Sequence, residues 1–459
     1  MKAGPRSADR VGQLTGKGRA VSPARSSAFE MLRRVEDDGA FASVLLAAPA
    51  DEMRTADRNL CYELVMGVLR WQKWLDALID HYSQRKADSL DAPIRRSLRI
   101  GLYELRFLSR IPHSATVNEA VNLTHLARLS SAAALVNAVL RRAIREGDYD
   151  PAGGIENPVL RLSVATSHPT WLIDRWIKAF GLRETQAFAL SNNETPPVAF
   201  RVVPENVEEE EVLRILRDAG ASVSSSNVAP GGHRVVGAGS KVRELAAAGF
   251  IYLQDEASQL VGHALEAKVG ERILDVCAAP GSKTTHIASL ARGSALVIAG
   301  DLYPHRLRTV RETISRVGAE GIGLLVHDAT EGLPFRDQSF DRVLVDAPCS
   351  GTGTLRHNPE IKWRITDQDI VVMAERQGRI LANAAKVVRA GGRVVYSTCS
   401  VETEENEAVV NAFLQEHKDF RKGALGADRI LQCVDGSVRT WPHRDGADGF
   451  YLAVLERHK

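Results

Sequence analysis

Cys349 sits in VDAPCSGTG (345–353) and Cys399 in VVYSTCSVETEEN (394–406), and each thiol follows a run of β-branched residues. Two cysteines at two strand-like ends suggest nucleophilic chemistry. A free thiol with a pKa near 8.5 is only about 3% ionised at neutral pH, so that role needs surroundings that favour the thiolate. The other cysteines offer less. Cys61 lies within a helical pattern and reads as core filler, Cys277 lies in a loop of small residues, and Cys433 has no motif around it. Five cysteines, odd in number and without a CxxC pair, indicate neither a disulfide framework nor a zinc site, and no metal is expected. The same usage suits a reducing cytoplasm.

The elements that must position these thiols are short apolar runs rich in Val, Ile and Leu: 272–276, 295–301, 323–328, 342–347 and 392–398. Such runs suit buried parallel strands, and the helical stretches between several of them predict a doubly wound α/β sheet with its ligands at the C-terminal strand ends. At that rim the runs place Asp275, Asp301, Asp328, Asp346, and Thr398 with Cys399. Between the first run and a helix lie Cys277, Ala278, Ala279, Pro280, Gly281, Ser282 and Lys283. Small side chains let the backbone approach a ligand, a helix N-terminus offers free amides, and the lysine adds charge. A nucleotide P-loop is excluded, because its two required glycines fall on Cys277 and Ser282. Asp301 follows the loop by about 20 residues, the spacing at which a carboxylate receives a ribose diol. Asp328 would meet an adenine amino group. Arg306, one turn into the next helix, is a further candidate that reads equally well as a surface arginine. With no G-x-G-x-x-G after the first run, S-adenosylmethionine fits better than a nicotinamide dinucleotide, its methionine end lying on the loop.

The rest of the chain must carry and aim this site. Its 459 residues suggest roughly two to four domains. Composition is that of an ordinary globular protein, 44% hydrophobic and 25% charged, and a net charge of +2 does not by itself announce a nucleic-acid partner. Residues 1–25 read as a disordered basic tail. Residues 26–147 are helical throughout, with Leu60, Leu64, Val68, Trp71, Leu75 and Leu78 at three- and four-residue spacing. Arg141, Arg142 and Arg145 close the last of these helices, where they suit either the negative helix end or phosphate contacts. Gly147 to Pro158 reads as a linker, 159–255 as a small α+β domain, and 256–459 as the doubly wound domain. No apolar stretch is long enough to span a bilayer, so no membrane contact is expected.

Five stretches, DVCAAPGSKT, DAPCSGTG, NPEIKW, YSTCSVETEEN and PHRDGADGFYLA, resemble in order the motif series of the NOL1/NOP2/Sun family. The N-terminal IPHSATVNEAVNLTHL and LVNAVLRR are similar to NusB, an RNA-binding factor. The resemblance implies an all-α NusB-like domain, a small α+β linker domain and a Rossmann-like class I methyltransferase. It also implies methyl transfer from S-adenosylmethionine to carbon 5 of a cytosine, the pairing of domains pointing to 16S ribosomal RNA or a small-subunit assembly intermediate. A monomer is the default. By position alone either thiol could attack. The family pattern makes Cys399 the nucleophile, Cys349 its helper in proton removal or release, and Asp346 the acid that holds the base. Lys362 and Arg364 become candidate phosphate contacts, with Pro359 and Trp363 near the base. Two positions depart from the pattern: Ser282 stands where a glycine is usual, and His357 follows Arg356 where a second arginine is usual. Two other readings compete: a scaffold that binds cofactor without turnover, and a redox pair in which Cys349 and Cys399 close a reversible disulfide.

Overall fold

The computed structural model describes residues 21–47, 53–425 and 436–459. Most of the tail expected at the N-terminus, and Cys433, lie outside the described residues. The chain forms two compact units that meet in sequence at His168 and Pro169.

The first unit is helical. Its first described helix begins at Pro23, inside the stretch read as tail, because Pro at the first turn has no amide to leave unpaired. The helices Thr55–Arg70, Gln72–Ser83, Ala92–Phe107, His113–Leu126 and Ala133–Glu146 bury Leu64, Leu75, Leu98, Leu123, Val136 and Leu140 in one core. A buried ion pair crosses that core: Arg25 Nε and Nη2 donate to Glu104 Oε1 and Oε2 at 2.7 and 2.9 Å, and Thr116 Oγ1 adds a third bond at 2.9 Å. On the last of these helices Arg142 pairs with Glu146 and Arg141 bonds Asn137. The expected linker contains a turn in which Ala152 is buried, and the helix Pro158–Ala165, capped by Asn157, stays with this first unit.

In the second unit, helices Thr170–Phe180 and Leu182–Ser191 precede a four-stranded antiparallel sheet of order β2-β3-β1-β4. Its strands are β1 (Val198–Val202), β2 (Ser222–Ser225), β3 (Gly232–Val236) and β4 (Ile251–Leu253). Phe200, Val212, Leu216, Val235 and Ile251 form its core. The large sheet follows with β5 (Arg272–Asp275), β6 (Leu296–Asp301), β7 (Ile322–Val326), β8 (Phe340–Asp346), β9 (Val388–Thr398), β10 (Phe420–Lys422), β11 (Val438–Thr440) and β12 (Phe450–Arg457). The spatial order is β7-β6-β5-β8-β9-β12-β10, with β11 paired to β12. Strands β5 to β9 run parallel, and β12 is inserted antiparallel beside β9.

All five apolar runs are strands, with adjusted ends. β9 begins four residues before the run that announced it. β7 ends at Val326, so Asp328 lies two residues beyond the strand it was expected to close. The three antiparallel strands of the C-terminal segment lie outside the parallel set that the sequence pattern drew. β12 is covered on both faces, with Tyr451, Ala453 and Leu455 in one core and Leu452 and Val454 in another, so it shows no alternation to read.

Candidate active site at the ends of the parallel strands

The pairing of β8 with β9 brings the two thiols together. Asp346 and Ser397 are partners across the ladder, so the loops that leave these strands start side by side. Cys399 leaves β9 directly, Cys349 comes three residues after β8, and their Sγ atoms stand 3.2 Å apart. Gly353 seals the approach. Its N–H donates to the Cys399 carbonyl at 3.0 Å, and its own carbonyl accepts from Gly449 N–H at 2.9 Å. A Cβ at Gly353 would stand 1.8 Å from the Gly449 carbonyl oxygen, so only glycine permits this crossing.

Asp346 closes β8 at the same rim. Lys283 Nζ donates to its Oδ2 at 2.7 Å and Ser397 Oγ to its Oδ1 at 2.8 Å. Burial works against the Lys283 charge, but Asp346 and the neighbouring Cys399 more than offset this and hold it above the usual lysine value. The thiols differ. The hydrogen bond with Cys399, then burial, then the nearby Cys399 and Glu405 push Cys349 well above the ordinary thiol range. Either sulfur can donate to the other across this contact.

The cofactor loop follows β5. Gly281 adopts φ +98° at the start of helix Ser282–Leu290, and a Cβ there would lie 3.3 Å from Val310 Cα. The loop can press against its neighbouring helix and leave the amides at the head of its own helix free to face a ligand. Burial drives the Cys277 thiol upward, which makes it an inert filler of the loop. Asp301, 2% exposed, accepts from Tyr303 N–H at 3.1 Å and pairs with Arg306 at 3.2 Å. Arg306 therefore reaches back to the loop, where its Nη2 also meets the Ala279 carbonyl at 3.4 Å. Asp328 accepts at Oδ1 from the Thr330 amide and hydroxyl at 2.9 and 2.7 Å, and those bonds hold it below the usual carboxylate range.

One acid at this rim received no role from the sequence. Thr284 Oγ1 donates to Asp275 Oδ2 at 2.6 Å, while Oδ1 is buried without a hydrogen-bond partner. An unpartnered buried acceptor at the base of a loop of small residues fits a ligand that brings a donor, as the ammonium group of S-adenosylmethionine would. Glu405 is also new. The acids of VETEEN look like a solvated charge run, yet Glu402 and Glu405 are both buried. The available signal was their place just after a thiol at a strand end. The structure corrects one expectation: Lys362 is buried, its Nζ 3.2 Å from Asn193 Oδ1 and over the Trp363 ring, so it is not presented to phosphates. Arg356 is held by Asp448 Oδ1 and the Gly446 carbonyl, both at 3.1 Å, with His357 3.5 Å from the other Asp448 oxygen. Asp255, His357 and Asp448 bring ligand atoms within 4.8 Å of one another, but Asp448 already carries the Arg356 ion pair.

Five parallel strands with one antiparallel insertion, a small-residue loop after the first of them and a buried acid ending the second define a Rossmann-like, S-adenosylmethionine-dependent methyltransferase. A family model described as 16S rRNA methyltransferase RsmB/F matches residues 262–456, a NusB family model matches 22–145, and an RsmF/B-like ferredoxin-like domain matches 168–240. Ribosomal RNA small subunit methyltransferase B of Pseudomonas putida is 36% identical over 94% of this chain and 98% of its own length. Its counterpart in Pseudomonas syringae is 35% identical over 94% and 96%. The crystal structure of PH0851 covers 96% of this chain and all of its own, with a TM-score of 0.81 and 27% identity. The chain belongs to the family of ribosomal RNA small subunit methyltransferases B, enzymes that methylate ribosomal RNA. The resemblances read from the five motifs and from the N-terminal helices, and the fold class they implied, are met.

Proposed function

We propose that this protein methylates carbon 5 of a cytosine in 16S ribosomal RNA through a covalent cysteine–cytosine adduct. The observation that carries the proposal is the pair of sulfurs 3.2 Å apart beside Asp346, at the adjacent ends of β8 and β9. Carbon 5 of cytosine is a poor nucleophile. Addition of the Cys399 thiolate to carbon 6 forms the S–C6 bond and moves electron density onto carbon 5, which can then take a methyl group. S-adenosylmethionine, when bound, supplies that methyl from a positively charged sulfur. The Cys277–Lys283 loop, Asp275, Asp301, Arg306 and Asp328 hold the cofactor. Asp346 accepts from the base amino group while Lys283 keeps it oriented. Transfer of the carbon 5 proton to a water beside Cys349, with that thiol assisting release, lets the S–C6 bond break and returns the thiolate.

The assignment of the attack to Cys399 follows the family pattern, and the nearby positive charge of Lys283 supports it. The target base must leave its stack to reach a site at strand ends. In this reading residues 26–147 bind RNA, 169–255 form a linking domain, the helix Pro158–Ala165 remaining with the first unit, and 256–459 carry the chemistry. The protein acts as a monomer in the cytoplasm, on 16S RNA or an assembling subunit. Labelled cofactor and 16S RNA test it. Cys399→Ala should abolish turnover and adduct together, whereas Cys349→Ala should lose turnover and accumulate adduct. The reverse pattern would exchange the two roles. The sulfur–sulfur distance also favours a second reading, a redox pair, which requires a reversible disulfide and no methyl transfer by the wild-type protein.

A further inference from the structure

We propose that Glu405 is the positioning residue of the thiol pair, a single buried carboxylate that ties down the residue following each cysteine and so holds the two sulfurs face to face. The proposal rests on the reading of Cys349 and Cys399 as the reacting pair. Glu405 is fully buried, and no lysine, arginine or histidine among the described residues lies within ion-pair distance of it. A buried charge without a counter-ion is destabilising unless hydrogen bonds compensate it. Here the compensation comes from the catalytic loops themselves. The Ser350 amide donates to Oε1 at 2.8 Å, and the Ser350 and Ser400 hydroxyls both donate to Oε2. Those are the residues that follow Cys349 and Cys399. Gln377 Nε2 donates to Oε1 at 3.0 Å and also to the Pro348 carbonyl at 2.9 Å, so Cys349 is gripped on both sides. The next residue completes the clamp: Asn406 accepts from Thr398 Oγ1 at 2.5 Å and donates to the Ser400 carbonyl at 2.9 Å, which brackets Cys399.

The same carboxylate biases the pair. Its negative charge disfavours a thiolate at Cys349, while Lys283 faces Cys399. The titratable groups around Cys349 are Cys399, Glu405 and Tyr396. Tyr396 donates its hydroxyl to the Glu405 carbonyl at 2.6 Å and is held neutral by burial. Reach and charge are thus two separable functions of one side chain. Glu405→Gln keeps the reach and the bonds to Oε1 but removes the charge. Glu405→Asp keeps the charge but is one methylene short of both loops.

Two measurements separate them. In a Cys399→Ser background, the rate of Cys349 alkylation by iodoacetamide is followed against pH, without RNA or cofactor. Glu405→Gln should move the midpoint down by about one pH unit, roughly tenfold in rate at a fixed pH below it, and Glu405→Asp should leave it in place. A purely structural glutamate would not produce that split. With Cys399 intact, Glu405→Asp should lower kcat at least about tenfold and leave the KM for S-adenosylmethionine unchanged. An unmoved alkylation midpoint in Glu405→Gln, or wild-type turnover in Glu405→Asp, would overturn the proposal. Because alkylation needs no methyl transfer, failure of the cytosine reading would appear in the wild-type assay alone and leave the first measurement decisive.

Discussion

Replacing Gly353 by alanine tests whether the thiol geometry is set by backbone crossing. The new Cβ would stand 1.8 Å from the Gly449 carbonyl oxygen and 2.9 Å from the Cys399 carbonyl oxygen. A carbon–oxygen contact needs about 3.3 Å, so the two loops must part by roughly 1.5 Å. Both atoms in the way are backbone, and neither can swing aside. The hydrogen bonds Gly353–Cys399 and Gly449–Gly353, at 3.0 and 2.9 Å, would be lost, at about 1 kcal/mol each. A loss of about 2 kcal/mol leaves a domain of ordinary stability folded. A misplacement of about 1 Å at a reacting group lowers the rate about 100-fold, so kcat should fall by at least that much. The cofactor loop, 277–283, is not part of the crossing, so calorimetric titration with S-adenosylmethionine should give an unchanged Kd. Turnover within about threefold of wild type would show that the loops do not need this approach and would refute the argument.

Asp301→Ala should weaken S-adenosylmethionine binding about 10- to 100-fold, the value of one or two charge-assisted bonds, with RNA affinity within about threefold; equal losses in both titrations would remove the ribose role. Burial pushes Asp275 up to about 7, so between about pH 4 and pH 7 the folded chain keeps a proton that the unfolded chain releases. Stability should therefore fall across that window by up to about 4 kcal/mol, and Asp275→Asn should flatten this part of the slope in urea unfolding at about pH 5 and about pH 7. In the helical unit, Glu104→Ala strands Arg25 in the core and should cost about 3–5 kcal/mol, seen as an earlier unfolding step in the full chain.

Some of this molecule could be read without coordinates. The parallel strands announce themselves because strands buried on both faces are continuous apolar runs, and their ends mark the rim where Asp301, Asp346 and Cys399 lie. The helical unit shows the spacing of its core leucines. β12 escaped the pattern because a central antiparallel strand covered on both faces has no alternation to display. Asp328 was placed at a strand end because an apolar run does not say where hydrogen bonding stops.

Residue types and their order along the chain supply the inventory: a small-residue loop, acids at strand ends, two thiols, and five motifs whose order names the family. Tertiary structure decided how those parts act on one another. The parallel pairing of β8 with β9 sets two sulfurs 50 residues apart in sequence at 3.2 Å, and no spacing along the chain encodes that distance. Packing also turned Lys362 inward and drew Glu405, a residue of an apparent surface charge run, beneath both thiol loops. Burial belongs to the assembled fold: the same glutamate on a solvated face would neither tether a loop nor bias a thiol.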